Sequence, residues 1–454
     1  MSATTIHARN ALLPGGWAQD VRFVLEGETI AAITPGVKPE AEDHRVDHLL
    51  PGMGNHHSHA FQRAMAGLAE TRGSGTDTFW TWRDVMYRFA LSMDPDQMEA
   101  VATHLYMEMM EAGFCHVGEF HYLHHDRDGS PYANIGELCD RIAAAAGATG
   151  MDVTLLPSFY AHSTFAGAAP VEGQRRFIND VDGFARIVER CRELARTMPG
   201  VSVGVAPHSL RAVTPDELSA VVDMAGDAPI HIHVAEQVKE VEDCLQWSGK
   251  RPVQWLLDNA PVNDRWCLIH ATHLTPEELD AIVLSKATVG LCPVTEGNLG
   301  DGISRCKGLF EQGGAFGIGT DSNVLIDVGQ ELRQLEYSQR LAHGNRAVLA
   351  GQGASTGREL FEAARAGGGA ALGRSTDLVA GGLASFIVFK NEDAPWLTQD
   401  RLIDGWIFGG AFRPDAVWAR GRQVVEDGRH VARPDIAARF RTTMQDLMNE
   451  TGLA

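Results

Sequence analysis

The sequence predicts an α/β fold: a (β/α)8 TIM-like barrel with a small β-sandwich domain formed by both ends of the chain. Three observations support this prediction. The chain has 454 residues, of which 44% are hydrophobic and 22% charged, so it can bury the core of a large domain and an accessory one. Its middle alternates short apolar runs with helical patterns. Its two ends contain strand patterns without helices between them.

The N-terminal segment is predicted to form short strands. Residues 21–24 and 29–33 have the composition of strands, and Gly27 marks the turn between them. Pro35 and Gly36 close the second strand, because this pair is typical of a turn.

The middle of the chain contains the predicted barrel strands. Their apolar runs are 115–120, 153–158, 201–206, 229–234, 266–270, 288–292 and 315–320. Helical patterns such as 95–112 and 174–198 lie between them, which indicates a parallel sheet covered by helices. A further strand near Leu49 brings the number to about eight, the number that closes a barrel. A doubly wound open sheet is the alternative fold, because periodicity alone does not separate the two.

Strand patterns return near the C-terminus, followed by the Asp427-Gly428 turn. These patterns cover 385–389, 417–420 and 423–425. We therefore expect residues 1–50 and 374–454 to form the small β domain and residues 51–373 to form the barrel.

The charge of the chain limits its partners. Lys and Arg number 39 against 59 for Asp and Glu, which gives a net charge of −20. A chain this acidic lacks the basic surface that binding to nucleic acids requires. An anionic substrate would need a local basic pocket, because the overall field repels it.

The composition also predicts a cytoplasmic protein that does not enter a membrane. The seven cysteines are scattered singly, which favours a reducing compartment over a disulfide framework. No basic stretch followed by an apolar core begins the chain, so we expect no signal peptide. The longest apolar run, 378–389, is too short to span a bilayer and is interrupted by Gly381 and Gly382.

A histidine pair follows the start of the predicted barrel. His57 and His59 lie two residues apart, so in an extended segment their side chains point the same way and can bind one metal ion. A histidine-rich surface turn is the alternative interpretation of this pair alone.

Three further clues lie at the ends of later strands. His231 and His233 form a second pair on one side of a strand, and Glu236 follows them. His270 ends the next strand, and Asp321 lies at the tip of the last one. Taken singly, each has an ordinary alternative: a buried histidine hydrogen-bonded in the core, or an aspartate that caps the next helix.

Taken together, the four clues predict a metal site, because a barrel places functional residues at the carboxyl ends of its strands. Imidazole nitrogens with one carboxylate suit zinc, and no cysteine pair competes for the metal. The spacing leaves open whether His231 or His233 is the ligand, and which histidine remains free to act as a base.

This strand-end set resembles that of the mononuclear amidohydrolase superfamily. The matching residues are His57-x-His59, His233-x-x-Glu236, His270 and Thr320-Asp321-Ser322. No lysine follows the fourth strand, at 205–208, where binuclear relatives carry a bridging lysine, which favours one metal ion over two.

The resemblance narrows to the formimidoylglutamate deiminases, and it extends through most of the barrel. The segments that carry it are 51–53, 57–67, 79–83, 235–237, 247–252 and 295–302. The family hydrolyses N-formimino-L-glutamate to N-formyl-L-glutamate and ammonia in histidine degradation.

The resemblance implies a ligand set and a division of catalytic roles. One Zn2+ per chain, or another divalent metal such as Fe2+, would be held by His57, His59, His233 and Asp321. His270 would orient a water molecule and accept its proton, while Asp321 shares in proton transfer. Glu236 would pair with the cationic formimino group and relay a proton to the leaving nitrogen.

The implied substrate is a small-molecule dicarboxylate, whose two carboxylates require guanidinium or hydroxyl donors. Arg83, Arg211 and Tyr122 lie on segments that follow predicted barrel strands, and Gln62 and His208 are also placed to donate. A surface ion pair for an arginine, or a core hydrogen bond for Tyr122, is the alternative role. The family resemblance is also compatible with a homodimer.

Two departures from the family pattern and two rival functions accompany this interpretation. His56 stands where an apolar residue is expected, and the segment 383–386 lacks the usual acidic turn. The nearest rival function is a deaminase of a purine, pyrimidine or triazine. The other is a non-catalytic barrel that serves as an assembly scaffold.

Overall fold

The structure is a computed structural model that describes residues 4–72 and 79–452. Its strands form two large sheets, one built by the chain ends and one by the middle of the chain. In chain order the strands are β1 Thr4–Leu13, β2 Gly16–Glu26, β3 Thr29–Thr34, β4 His44–Pro51, β5 Met53–Ser58, β6 Phe114–His121, β7 Asp152–Phe159, β8 Val201–Val203, β9 Ala206–Pro207, β10 Ile230–Val234, β11 Trp266–His270, β12 Thr288–Leu291, β13 Phe316–Ile318, β14 Phe386–Phe389, β15 Ala416–Ala419, β16 Arg422–Glu426 and β17 Arg429–His430.

Helices follow most of the strands in the middle of the chain. They are α1 Phe79–Ser92, α2 Pro95–Ala112, α3 Glu137–Thr149, α4 Val181–Thr197, α5 Pro215–Ala225, α6 Val238–Ser248, α7 Pro252–Asn259, α8 Pro276–Ser285, α9 Pro293–Leu299, α10 Cys306–Glu311, α11 Val328–His343, α12 Thr356–Ala371, α13 Asp400–Asp404 and α14 Arg433–Thr451. Short 3₁₀ turns cover Ala60–Met65 and Glu172–Gln174, and a π turn covers Gly405–Gly409.

The two chain ends meet in one region, as predicted, and their strands form a single eight-stranded sheet. Its order is β17-β16-β15-β14-β4-β1-β2-β3. Strand β4 joins the two halves, since it pairs in parallel with β1 and antiparallel with β14. The boundaries predicted for the two domains remain a prediction.

The middle strands form the predicted barrel. The parallel sheet runs in the order β10-β11-β12-β13-β5-β6-β7-β8. It closes between Val205 and Ile230, where the amide of His231 donates to the carbonyl of Val205 over 3.0 Å. Every residue of β6 and β7 is buried, as in parallel strands that helices cover. The carboxyl ends of all these strands therefore open at one mouth.

The barrel starts later than the sequence predicts. Leu49 belongs to β4 of the chain-end sheet, where it pairs with Val388, and the first barrel strand is β5. The predicted strand 201–206 is divided into β8 and β9 at Gly204, whose Cβ would lie 2.5 Å from a backbone oxygen of Pro229.

The helix predicted over 174–198 begins later, at Val181. The side chain of Asp180 accepts a hydrogen bond from the amide of Gly183, which caps the N-terminus of α4.

The C-terminal segment ends in a helix that the strand patterns do not predict. Helix α14 packs against α2: the rings of Phe440 and His104 stack with centroids 3.9 Å apart, and Arg439 pairs with Glu99. Its buried residues Ile436, Thr443 and Leu447 recur at helical spacing.

No helix within 4–72 or 79–452 combines the length and the apolar composition that crossing a membrane requires.

Close backbone contact explains three successive glycines in α12. A Cβ at Gly367 would lie 1.9 Å from the carbonyl oxygen of Phe316, and one at Gly317 would lie 3.0 Å from the backbone of Gly368. The glycines therefore allow α12 to lie directly against the strands that carry the site.

We predict that Gly367→Ala lowers the free energy of unfolding by about 1–3 kcal/mol, since the new methyl group would overpack against the backbone of β13. Gly147→Ala is the matched control. Gly147 is an exposed helical glycine with only an ordinary contact to Met198, so alanine there should stabilise the protein by about 0.5–1 kcal/mol. Denaturant unfolding of both variants measures the difference, and equal effects would contradict the packing argument.

Candidate active site

Four predicted ligands converge at the mouth of the barrel. The Nε2 atoms of His57 and His233 are 3.1 Å apart. Oδ1 of Asp321 lies 3.4 Å from Nε2 of His57 and 3.3 Å from Nε2 of His59. The donor atoms of the three histidines all lie within 4.8 Å of one another. The structure therefore brings together residues from β5, β10 and the segment after β13.

Backbone carbonyls orient two of these imidazoles. Nδ1 of His59 lies 2.8 Å from the carbonyl oxygen of Phe120, and Nδ1 of His233 lies 2.9 Å from that of His208. Because a carbonyl oxygen only accepts, each Nδ1 must donate, which leaves a lone pair on each Nε2. This is the arrangement by which metal-binding histidines are commonly held.

Burial keeps these histidines neutral. It lowers the pKa of His57 and His233 well below the usual range and also lowers the pKa of His59. Neutral imidazoles whose lone pairs face one another repel, and a divalent cation between them removes the repulsion. The donor set of three nitrogens and a carboxylate therefore fits zinc or a similar divalent metal.

The structure separates His231 from His233. Nε2 of His231 lies 2.8 Å from the carbonyl oxygen of Ala371, near the end of α12, so it is bonded away from the cluster. Of the two histidines between which the sequence left the choice open, the structure places His233, and not His231, in the cluster with His57 and His59.

Asp321 is held against the histidine strand by its own backbone. Its amide donates to the carbonyl of His57 over 3.0 Å, and its carbonyl accepts from the amide of His59 over 3.0 Å. Asp321 also has a positive φ of +46°. Such strained residues persist when surrounding bonds enforce them, and they cluster at functional sites.

A buried polar network behind the ligands was not predicted. Asn55 donates from Nδ2 to the hydroxyl of Thr320 over 2.7 Å and accepts the Thr320 amide at Oδ1. Asn323 donates to the carbonyl of His59 over 3.0 Å. The sequence does contain a signal for this network. Asn55 precedes His57, and Thr320 and Asn323 flank Asp321, at positions where buried strands usually carry apolar residues.

His270 lies among three carboxylates beside the histidine cluster. Its Nε2 is 3.7 Å from Oδ2 of Asp321 and 3.8 Å from Oε1 of Glu236, while its Nδ1 is 3.4 Å from Oε1 of Glu296. Burial alone lowers the pKa of His270, but Glu236, Glu296 and Asp321 outweigh burial and raise it to about 10. The ring is thus placed to exchange protons with carboxylates on both sides.

Glu236 is positioned by the helix that follows it. Glu240 in α6 accepts the backbone amides of Ala235 and Glu236 at 3.2 and 3.0 Å. Burial raises the pKa of Glu236 to about 7, against the opposing effects of His270 and Arg211. A carboxyl group with such a pKa can both accept and donate a proton near neutral pH.

A cleft of about 600 Å³ opens above these groups. All five residues predicted to bind substrate line it: Gln62, Arg83, Tyr122, His208 and Arg211. The sequence predicted no role for the other side chains of the cleft wall, which are Trp82, Met86, Tyr87, Tyr160, Phe177, Leu299 and Ser322.

One face of α1 supplies much of this wall. Arg83 and Tyr87 lie one turn apart, with the guanidinium carbon of Arg83 5.4 Å from the centre of the Tyr87 ring. Trp82 and Met86 repeat the same spacing. A helical pattern with polar and aromatic residues on one face was the signal that could have identified them.

Polar contacts order the remaining predicted residues. Gln62 donates from Nε2 to the hydroxyl of Tyr122 over 2.9 Å. Nη2 of Arg211 lies 3.9 Å from Oε2 of Glu236. The guanidinium of Arg211 therefore lies near Glu236, and that of Arg83 lies in the wall of the same cleft, although the protein as a whole is acidic.

His56 is placed away from the cleft lining. Its ring fills space beside two strands, where a Cβ on Gly290 would lie 2.5 Å from its Nε2 and one on Gly317 would lie 3.2 Å from its Nδ1. Burial, followed by the charge of His231, lowers the pKa of His56 to about 3. The two glycines thus accommodate an imidazole where the sequence comparison expected an apolar residue.

Comparison with known proteins identifies two family models in this chain. The amidohydrolase family matches residues 48–424. The model described as "Formimidoylglutamate deiminase HutF, N-terminal domain" matches residues 3–47.

Individual relatives agree with these models. A formimidoylglutamate deiminase from Pseudomonas aeruginosa is 46% identical over 98% of this chain and 100% of its own length. A crystal structure of an amidohydrolase from Brucella melitensis is 56% identical, covers 98% of this chain and 100% of its own, and has a TM-score of 0.97. A 5-methylthioadenosine/S-adenosylhomocysteine deaminase from Halobacterium salinarum is 26% identical over 82% of this chain and 79% of its own.

We predict that His59→Ala loses about one equivalent of divalent metal per chain relative to the wild-type protein, because a site that has lost one of its four protein ligands binds metal far more weakly. Metal analysis after exhaustive dialysis measures the loss. His343→Ala is the control, since His343 is an exposed histidine at the end of α11. An unchanged metal content in His59→Ala would contradict the ligand assignment.

Proposed function

This chain belongs to the amidohydrolase family and, within it, to the formimidoylglutamate deiminases, which hydrolyse a C–N bond, and we propose that it converts N-formimino-L-glutamate to N-formyl-L-glutamate and ammonia. One observation carries the proposal: Arg83 and Arg211 line the same cleft as the histidine and aspartate cluster. A cleft with paired guanidinium groups beside a hydrolytic centre fits a substrate that carries two carboxylates.

We infer that one Zn2+, with Fe2+ as the alternative, is held by His57, His59, His233 and Asp321. The converging Nε2 lone pairs and the neutral state of the imidazoles support this inference. When bound, such a cation lowers the pKa of water and so makes hydroxide available at neutral pH.

In the proposed reaction, the oxygen of water bonds to the formimino carbon, the bond from that carbon to the terminal nitrogen breaks, and both water protons leave with ammonia. Nε2 of His270 orients the attacking water. It accepts the proton of that water once a cation at the neighbouring ligands lowers the pKa of His270 from the value of about 10 that the surrounding carboxylates give it. Asp321, whose Oδ2 lies 3.7 Å from this nitrogen, shares in the transfer. Glu236, whose Oε1 lies 3.8 Å from the same ring nitrogen, delivers protons to the leaving nitrogen of the substrate.

Glu236 also explains why a linear amidine suits the site. A protonated formimino group is cationic, and a carboxylate in a buried cleft pairs with it strongly. The pKa of about 7 for Glu236 means that a proton can move from this carboxyl to the leaving nitrogen without a large energetic cost.

The glutamate part of the substrate would extend along the cleft wall. We propose that Arg83 and Arg211 bind its carboxylates and that Gln62, Tyr122 and His208 donate further hydrogen bonds. Their shared position on the cleft surface supports this assignment. If this assignment is correct, the two guanidinium groups make the enzyme prefer a dicarboxylate substrate over neutral analogues.

Deamination of a heterocyclic ring is the second candidate. The aromatic wall formed by Tyr87, Tyr160 and Phe177 could stack against a purine or triazine, and the relative from Halobacterium salinarum is named as a deaminase of adenosine derivatives. Two arginines in the cleft favour the dianion instead. The intact ligand set and the family assignment likewise favour catalysis over a non-catalytic scaffold.

We further propose that the protein works in the cytoplasm, with small molecules as its partners. All seven cysteines are free thiols in the structure, which supports a reducing compartment. A homodimer stays a prediction from the family.

We predict that Arg211→Ala lowers kcat/KM for formiminoglutamate by about 10- to 100-fold, the value of one lost charge-assisted hydrogen bond. The analogue with both carboxylates replaced by amides should be much less affected, so the preference for the dicarboxylate should fall. Arg192→Ala, which removes an exposed arginine on α4, should behave as wild type. Unchanged kinetics of Arg211→Ala with formiminoglutamate would show that Arg211 does not bind a carboxylate.

The same assay separates the two candidate functions. We expect ammonia release from formiminoglutamate and none from adenosine, guanine or a chlorotriazine. The reverse pattern would replace the proposed function with ring deamination.

A further inference from the structure

A second cluster of metal-binding side chains lies outside the active site. One nitrogen each of His121 and His124 and the sulfur of Cys139 lie within 4.8 Å of one another. These residues are only 2%, 2% and 1% exposed. They come from the end of β6, the following loop and the first turns of α3, and none of them lines the substrate cleft.

The two imidazoles have nitrogens available for a ligand. Nε2 of His124 lies 2.9 Å from the carbonyl oxygen of Ser158, so it donates and leaves a lone pair on Nδ1. Nε2 of His121 is buried and has no hydrogen-bond partner among residues 4–72 and 79–452. A buried polar atom without a partner is unfavourable, and a bound cation would satisfy it.

Burial keeps both rings neutral, as a metal ligand must be. It lowers the pKa of His121 well below the usual range and that of His124 to about 3. Protonation therefore does not compete with metal binding at neutral pH.

A second thiol lies beside the cluster. Cys191, on α4, is fully buried, and the neighbouring thiol of Cys139 raises its pKa. Two histidines and two cysteines form a ligand set that structural zinc sites use. Two thiolates also balance the charge of a divalent cation, so the filled site would be neutral and could be buried without an unpaired charge.

We propose that His121, His124 and Cys139 form a second, structural site for zinc or a similarly soft divalent cation, with Cys191 closing the coordination through rotation of its side chain. On binding, each thiol releases its proton to solvent and bonds to the metal as thiolate. The site would join β6, α3 and α4 on the outer side of the barrel. It would hold its metal in a closed shell without water, unlike the active site.

Cobalt(II) substitution tests this proposal, because thiolate ligands give cobalt a charge-transfer band in the near ultraviolet. The active-site ligands are nitrogen and oxygen only, so they do not produce this band. We expect the full-length protein loaded with cobalt to show the band and to hold two metal equivalents per chain. Cys139→Ala should lose the band and one equivalent.

Two control variants locate the signal. Cys306→Ala removes an equally buried thiol elsewhere and should keep the band. His59→Ala should keep the band while losing the active-site equivalent, because none of the ligands of the second site touches the active-site cluster.

If Cys139→Ala does not fold, the spectrum of the cobalt-loaded wild-type protein still tests the proposal. His121→Asn is a second variant, and it should weaken the band. A cobalt-loaded wild-type protein without the band, or with one metal equivalent, would overturn the proposal. So would an unchanged band in Cys139→Ala, or loss of the band in His59→Ala.

Discussion

The backbone junction between β5 and the segment after β13 is the constraint on which the site depends. The amide of Asp321 bonds to the carbonyl of His57, and the amide of His59 bonds to the carbonyl of Asp321, so the carboxylate is fixed beside two imidazoles. A hydrogen bond from the side chain of Asn55 to that of Thr320 strengthens the junction, although the two residues are 265 positions apart in the chain. Closure of the barrel therefore assembles ligands that no local structure could bring together.

This junction also contains unfavourable interactions, and a bound cation would relieve the repulsion among its imidazoles. Neutral imidazoles face one another at a distance of 3.1 Å, and Asp321, His270 and Ala235 adopt positive φ at the strand ends. Strained backbone angles and facing lone pairs are expected at a site that the fold organises around a ligand. The acidic groups around His270 form the other half of the arrangement, since they raise the pKa of its ring beside the histidine cluster.

The sequence allowed the barrel and the strand-end residues to be predicted because both follow from local periodicity. Alternation of side chains along a strand puts His231 and His233 on the same face, so the choice between them depended on Ala371, which approaches from α12. The cleft wall from α1 and the cluster of His121, His124 and Cys139 depend on packing between distant elements, which short-range spacing does not encode. Helix α14 was missed because its hydrophobic residues are few and adjacent strand signals dominated.

The central claim is that a divalent cation at this junction makes the hydrolysis possible. The most direct measurement is ammonia release from N-formimino-L-glutamate by metal-replete enzyme, by enzyme stripped with a chelator, and by stripped enzyme reloaded with zinc. The account predicts turnover in the first sample, loss of turnover in the second and recovery in the third. Full activity in the stripped enzyme, confirmed as metal-free at His57, His59, His233 and Asp321, would contradict it.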